Sequence, residues 1–298
     1  MKNGKPKVLI GVALILLSIG TLFLVLFFAK TPQNLAAFDA SRAYEDVLWQ
    51  MALGPRTPGS QAHTDEIKMI QEELKGAGWD VKVQTLIQDG HQVENIIAAH
   101  GKSQEPIVVA AHYDSRLSAD QDPDPLLSTQ PVPGADDGAS GVAVLLEMAR
   151  VMPAETADHV WLVFFDAEDQ GNLPGWDWIL GSKAFVASLN QKIHAAVIVD
   201  MIGDKDLNIY REEASDAALT SQIWETAANL GYAKQFIDTP KYNILDDHLP
   251  FLEAGIPAVD IIDFDYPYWH TTSDTADKVS PESLKVVGDT LLAWLAKQ

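Results

Sequence analysis

The chain has 298 residues, 47% apolar and 21% charged, with a formal net charge of −21 and no cysteine. Phosphate binding needs clustered Lys and Arg, so this charge balance argues against a nucleic-acid partner. Without cysteine there are no disulfides, no thiolate catalysis and no Cys-ligated zinc, so any metal must be held by His and carboxylates. The length allows one large domain with a full core, or at most two.

Lys2, Lys5 and Lys7 precede an uncharged apolar run, Val8–Phe28. A helix of that length spans roughly 30 Å, enough to cross a bilayer. The basic leading end stays in the cytoplasm, which places everything after Lys30 outside. The alternative is a secreted protein with a cleaved signal peptide, but the apolar core of such a peptide is normally ~7–15 residues. The domain reading is a cytoplasmic tip and transmembrane anchor over 1–30, a linker over 31–40 and a catalytic domain over 41–298.

Phe38–Leu53 has helical spacing, and Gly54-Pro55-Arg56-Thr57-Pro58-Gly59-Ser60 breaks it with turn residues. Ser60 or Thr64 caps the next helix, which ends near Gly76 and Gly78. Asp80–Ile87 and Val93–Ala99 read as paired strands, and Pro106–Ala111 as a short strand ending in His112-Tyr113-Asp114-Ser115-Arg116. Leu117–Pro133 is a polar loop whose Asp120, Asp122 and Asp124 imitate half of a calcium loop. It lacks the glycine and the distal Glu that such a loop needs, and reads as solvated.

Gly134–Gly141, GADDGASG, opens a helix over Val142–Met152. Val160–Phe165 is a continuous apolar run, the mark of a strand buried on both faces of a parallel sheet. It stops in Asp166, Glu168 and Asp169, acids that repel one another unless a cation or a substrate ammonium sits among them. An insertion with Trp176 and Trp178 follows, then a helix over Gly181–Leu189 and a strand over Ala195–Val199 that ends at Asp200. Leu207–Tyr210 is a short strand, Asp216–Leu230 a helix, Ala258–Ile262 a buried strand and Pro281–Leu295 a closing amphipathic helix. Strands alternating with helices predict a mixed, mostly parallel sheet with helices on both faces.

His112, Asp137, Glu168, Asp169, Asp200, Asp247 and His270 all fall at strand ends or in the loops that follow. Imidazole and carboxylate without thiolate suit a zinc site with an open coordination position. His63, His91, His100, His159 and His194 lack such company. His248, beside Asp247, either orients that acid or caps the following turn.

His112–Asp114, GADDGASG, the DAED run, VDMIGD around Asp200 and WHTTSDT around His270, taken in order, resemble the M28 metallopeptidase family. The resemblance covers Gly54 to the C-terminus. It implies the zinc-exopeptidase fold, a three-layer α/β/α sandwich, and either a zinc aminopeptidase or an animal-type glutaminyl cyclase. PRTPGS at Pro55–Ser60, Glu94–Ile97, HYDSR, LDDHLPFL at Leu245–Leu252 and the tryptophan insertion are similar to the cyclase branch.

Carried over by motif, Asp137, Asp169 and His270 are the implied zinc ligands. Asp169 stands where the family usually has Glu. His112 and Asp200 would complete a second zinc in an aminopeptidase, so the resemblance implies one ion in a cyclase and two in an aminopeptidase. Asp114 would orient His112, and Asp136 would be structural. Glu168 is the implied general base in both chemistries. Asp200 and Asp247 would hold the substrate amine, and Trp269 and Trp176 would wall the pocket. Both reactions act on a free peptide N-terminus. The third reading is a non-catalytic ectodomain of the transferrin-receptor kind, against which stands a competent residue at every ligand position.

Overall fold

The computed structural model describes Met1 and residues 37–298. The expected membrane helix over Val8–Phe28 lies outside the described residues, as does most of the linker. Among the described residues no helix is long and apolar enough to cross a membrane.

The first helices are α1 (Ala40–Leu53) and α2 (Gln61–Gly76). Asp39 caps α1 by accepting from the Ser41 and Arg42 amides. Of the two residues expected to cap α2, Ser60 does so, taking the His63 amide at 3.1 Å. Both caps satisfy amides that no helical carbonyl can reach. Strands β1 (Asp80–Gln88) and β2 (His91–Ala99) form an antiparallel hairpin. Then come β3 (Ile107–His112), α3 (Ala139–Val151), α4 (Ala154–Ala157), β4 (Val160–Phe165), α5 (Leu180–Ala187) and β5 (Ala195–Asp200). The chain closes with β6 (Ile209–Glu212), α6 (Ala217–Leu230), β7 (Phe236–Tyr242), α7 (Leu249–Glu253), β8 (Ala258–Ile262) and α8 (Pro281–Leu295).

The main sheet has six strands in the order β1-β2-β4-β3-β5-β8. The four strands β4, β3, β5 and β8 are mutually parallel, and β2 joins them antiparallel through β4. Every residue of β3 is buried, and alternate side chains serve opposite layers. Ile107, Val109 and Ala111 pack among residues of α1, α2, α3, α6 and α8. Val108 and Ala110 join Phe185 and Phe251, from α5 and α7, on the other face. Fully burying each of the Ile, Val and Phe side chains among them is worth about 1.5–3 kcal/mol. The three-layer reading of the sequence therefore describes residues 37–298. Elements that escape it include the short helices α4 and α7, and β7, which pairs with β6 in a separate two-stranded parallel sheet. Thr239, Pro240 and Lys241 leave β7 without an apolar run.

Candidate metal and catalytic site

The chain leaves β3 for β4 on one side and then crosses back to β5 on the other. In an open α/β sheet such a switch of direction opens a crevice at the carboxyl ends of the strands, where ligands bind. His112 closes β3, Asp200 closes β5, and Glu168 and Asp169 lie just past β4. The loop before α3 delivers Asp137 to the same place, and the loop after β8 delivers His270.

Two donor clusters result, sharing Asp137. Asp137, Asp169 and His270 form one; His112, Asp137 and Asp200 form the other. In the first, His270 Nε2 lies 2.7 Å from Asp169 Oδ1 and 3.7 Å from Asp137 Oδ2. In the second, His112 Nε2 lies 3.1 Å from Asp137 Oδ1 and 3.0 Å from Asp200 Oδ1. Asp137 Oδ2 and Asp169 Oδ2 are buried and find no hydrogen-bond partner among the described residues. Partnerless buried carboxylate oxygens are costly, and two of them beside an imidazole make a donor set that fits a zinc ion.

The surrounding loops are held by three further carboxylates of the motifs, of which Asp274 had no assigned role. Asp274 accepts the Asp136 and Asp137 amides at 2.9 and 3.2 Å, and the Tyr266 hydroxyl at 2.6 Å. Asp114 accepts the Glu168 and Asp169 amides at 3.0 and 3.3 Å. Its nearer approach to His112 Nδ1 is 3.7 Å, beyond hydrogen-bond reach, so it fixes the Glu168 loop more than the imidazole it was expected to orient. Asp136 accepts the Gly203 amide at 2.6 Å, in keeping with the structural role expected of it. Gly138, with φ of 99°, opens α3 so close to β3 that a side-chain carbon there would stand 2.8 Å from the Asp114 carbonyl. Ala167, Met201 and His270 take left-handed backbone conformations with φ of 52°, 45° and 55°. Such strain, about 1–3 kcal/mol per residue, persists where the surroundings over-determine the backbone.

Beside the clusters lies a cavity of about 290 Å³, lined in part by Asp137, Glu168, Asp169, Asp200, Asp246, Trp178 and Trp269. Two expected pocket residues are corrected here. The insertion's wall residue is Trp178; Trp176 stacks on His91 at 3.7 Å between centroids and packs beside Val93 and Leu180. At the LDDHLPFL motif Asp246 reaches the cavity. Asp247 is buried behind it, next to Ser182. The two acids are adjacent, and the turn before α7 decides which faces in.

His248 neither orients Asp247 nor makes a side-chain cap; its Nε2 lies 3.2 Å from Glu212 Oε2. His63, given no role by its sequence neighbours, is buried and pairs with Asp166 at 2.7 Å. The Leu117–Pro133 loop is more firmly tied than a solvated loop: Asp120 pairs with Arg116, and Asp122 accepts from Thr272. The partners of His63, His248 and Asp122 lie far away in the chain and give no local signal in sequence.

Burial dominates the electrostatics. It pushes the Glu168 carboxyl well above the usual range, and the charges of Asp246, Asp169 and Asp247 add to it against His112. Burial likewise raises Asp200 to about 7 and Asp169 to about 6, helped in each case by Asp137. For Asp137 burial acts in the same direction, but the hydrogen bond and charge of His112 outweigh it and hold this acid below its usual range. Carboxyls with such different proton affinities in one cleft are a mark of acid–base sites.

Solved structures of the same architecture include a zinc-dependent exopeptidase from Parabacteroides distasonis, 32% identical, with a TM-score of 0.81 over 89% of this chain and 100% of that one. A glutaminyl cyclase from Tannerella forsythia is 33% identical, with a TM-score of 0.81 over 88% of this chain and 100% of its own. A leucine aminopeptidase precursor from Bacteroides thetaiotaomicron is 31% identical, with a TM-score of 0.82 over 89% of this chain and 99% of its own. The model of peptidase family M28 matches residues 95–295, which hold every donor described above, and the chain belongs to that family.

Proposed function

We propose that this protein is a glutaminyl cyclase, converting an N-terminal glutamine of a peptide into pyroglutamate with loss of ammonia. Zinc held by Asp137, Asp169 and His270 would supply Lewis-acid polarisation of the γ-carbonyl. Glu168, ionised in the working enzyme, takes a proton from the substrate α-amine. The amine nitrogen bonds to the amide carbon, the carbon–nitrogen bond of the amide breaks, and Glu168 returns the proton to the departing ammonia. Asp200 and Asp246, on the same cavity, hold the substrate amine, and where it arrives as ammonium they take up its extra proton before Glu168 moves the second. Asp246 takes the role first expected of Asp247.

The observation that carries this reading is the aromatic wall. Trp269 and Trp178 both lie nearly parallel to the His270 ring, at 25° and 15°, with centroids 3.7 and 5.9 Å away. Both line the cavity. A dry wall at the reacting carbonyl favours ring closure, because water there would hydrolyse the amide instead. The second reading, a di-zinc aminopeptidase, is favoured by one observation: His112 and Asp200 complete a second donor cluster around Asp137.

The test uses the full chain in detergent with zinc, a Gln-initiated peptide and a Leu-initiated peptide, followed by mass spectrometry. Ammonia loss from the first with the second intact supports the cyclase. Release of leucine establishes the aminopeptidase. We further propose that Val8–Phe28 anchors the protein with its catalytic domain outside the cytoplasm. Retention in carbonate-washed membranes is the expected result, and recovery in the soluble fraction would overturn it.

A further inference from the structure

We infer that Arg116, the last residue of HYDSR, is the positioning residue for the Trp178 wall and through it sets how tightly the substrate's N-terminal residue is bound. This rests on the reading that the cavity takes that residue. Arg116 is 1% exposed, although a guanidinium normally seeks water. Its donors are distributed over three backbone or side-chain partners. Nε and Nη2 hold the two oxygens of Asp120 at 2.7 and 2.9 Å. Nη1 donates to the Asp169 carbonyl at 2.8 Å, and Nη2 also donates to the Gly171 carbonyl at 3.0 Å. One planar group thus pins the chain on both sides of Gln170, immediately after a zinc-ligand candidate.

The same guanidinium carbon lies 4.9 Å from the centroid of the Trp178 ring. The ring rests flush on Gly171, where a side-chain carbon would stand 2.0 Å from Trp178 Cδ2. Trp178 is therefore seated by a cation, by a bare backbone and by the near-parallel His270 ring. The insertion carries it on residues without helix or strand, so these contacts and not a backbone ladder fix the ring. A lysine keeps the charge but has neither the fork nor the flat face.

The test is a double-mutant cycle of wild type, Arg116→Lys, Trp178→Phe and the double variant, with zinc content and Tm measured for each. Kinetics use whichever of the Gln- or Leu-initiated peptides the wild type turns over, so a wrong reaction assignment changes the substrate and not the cycle. Arg116→Lys is expected to raise KM about 10-fold with kcat altered less than about 3-fold, and to add nothing to Trp178→Phe, since groups acting through one contact are non-additive. The near-UV circular dichroism difference between wild type and Trp178→Phe reports the Trp178 environment without turnover. That difference is expected to collapse when Arg116 is Lys. Independent, multiplying KM effects, or an undiminished Trp178 band, would overturn the inference. If Arg116→Lys does not fold, Asp120→Asn loosens the same clamp: a KM rise of about 2–3-fold that vanishes in the Trp178→Phe background supports the inference, and one that persists there overturns it. If wild type turns over neither peptide, the Trp178 band alone decides.

Discussion

The two donor clusters that share Asp137 are assembled from the same residue types, yet they leave different atoms open. In the His112 cluster a single imidazole nitrogen bridges Asp137 Oδ1 and Asp200 Oδ1. A proton on that nitrogen satisfies both acids at once, and the neighbouring carboxylates raise the proton affinity of His112 well above normal against its burial. In the His270 cluster Asp137 Oδ2 and Asp169 Oδ2 remain without partners, and the aromatic wall stands beside them. Buried oxygens of that kind call for a cation. The two similar triads thus present different open atoms, and that difference is the geometric basis of the one-metal reading proposed above.

The largest effects should come from breaking the His270 side. His270→Ala removes the imidazole donor, and zinc content by plasma mass spectrometry should fall far below one per chain, with turnover lost. Glu168→Gln should keep zinc bound and lower kcat by about 10²–10⁴-fold, the usual worth of a positioned acid–base group; unchanged kcat would remove Glu168 from the mechanism. His112→Ala probes the other cluster. Under the one-metal account zinc content stays at one per chain while turnover falls about 10–100-fold, the usual cost of losing a group that supports a metal site. A fall from two zincs to one would erase the distinction between the clusters.

The smallest effect lies outside both. Glu66, fully buried beside Arg56 at 3.3 Å, is pushed up to about 8 by burial, with the Arg56 charge opposing. Its folded proton affinity exceeds the unfolded one, so the stability it contributes is complete below pH 4.5 and is lost as pH rises toward about 8. Glu66→Gln should flatten the decline of Tm between pH 5 and 8. An unchanged slope would show that Glu66 is ionised throughout.

Legibility in the sequence follows the range of the forces involved. Val160–Phe165 and Ala258–Ile262 were readable to the residue because a strand buried on both faces must be apolar throughout. Pro281–Leu295 was readable from its amphipathic period. The motifs located His112, Asp137, Glu168, Asp169, Asp200 and His270 at one crevice, since parallel strands must end together. Orientation was not readable. Asp246 against Asp247, and Trp178 against Trp176, are choices made by turns whose dihedrals depend on distant partners. Arg116 and Asp274 act across long sequence separations, and no local pattern announces such contacts.

The most direct test of the one-metal account is a zinc titration of the chelator-stripped full chain, with turnover of the Gln-initiated peptide followed at each addition. The account expects activity to rise linearly and saturate at one equivalent of zinc per chain, with further zinc giving no gain. Activity that continues to rise through a second equivalent, with leucine released from the Leu-initiated peptide, would contradict it.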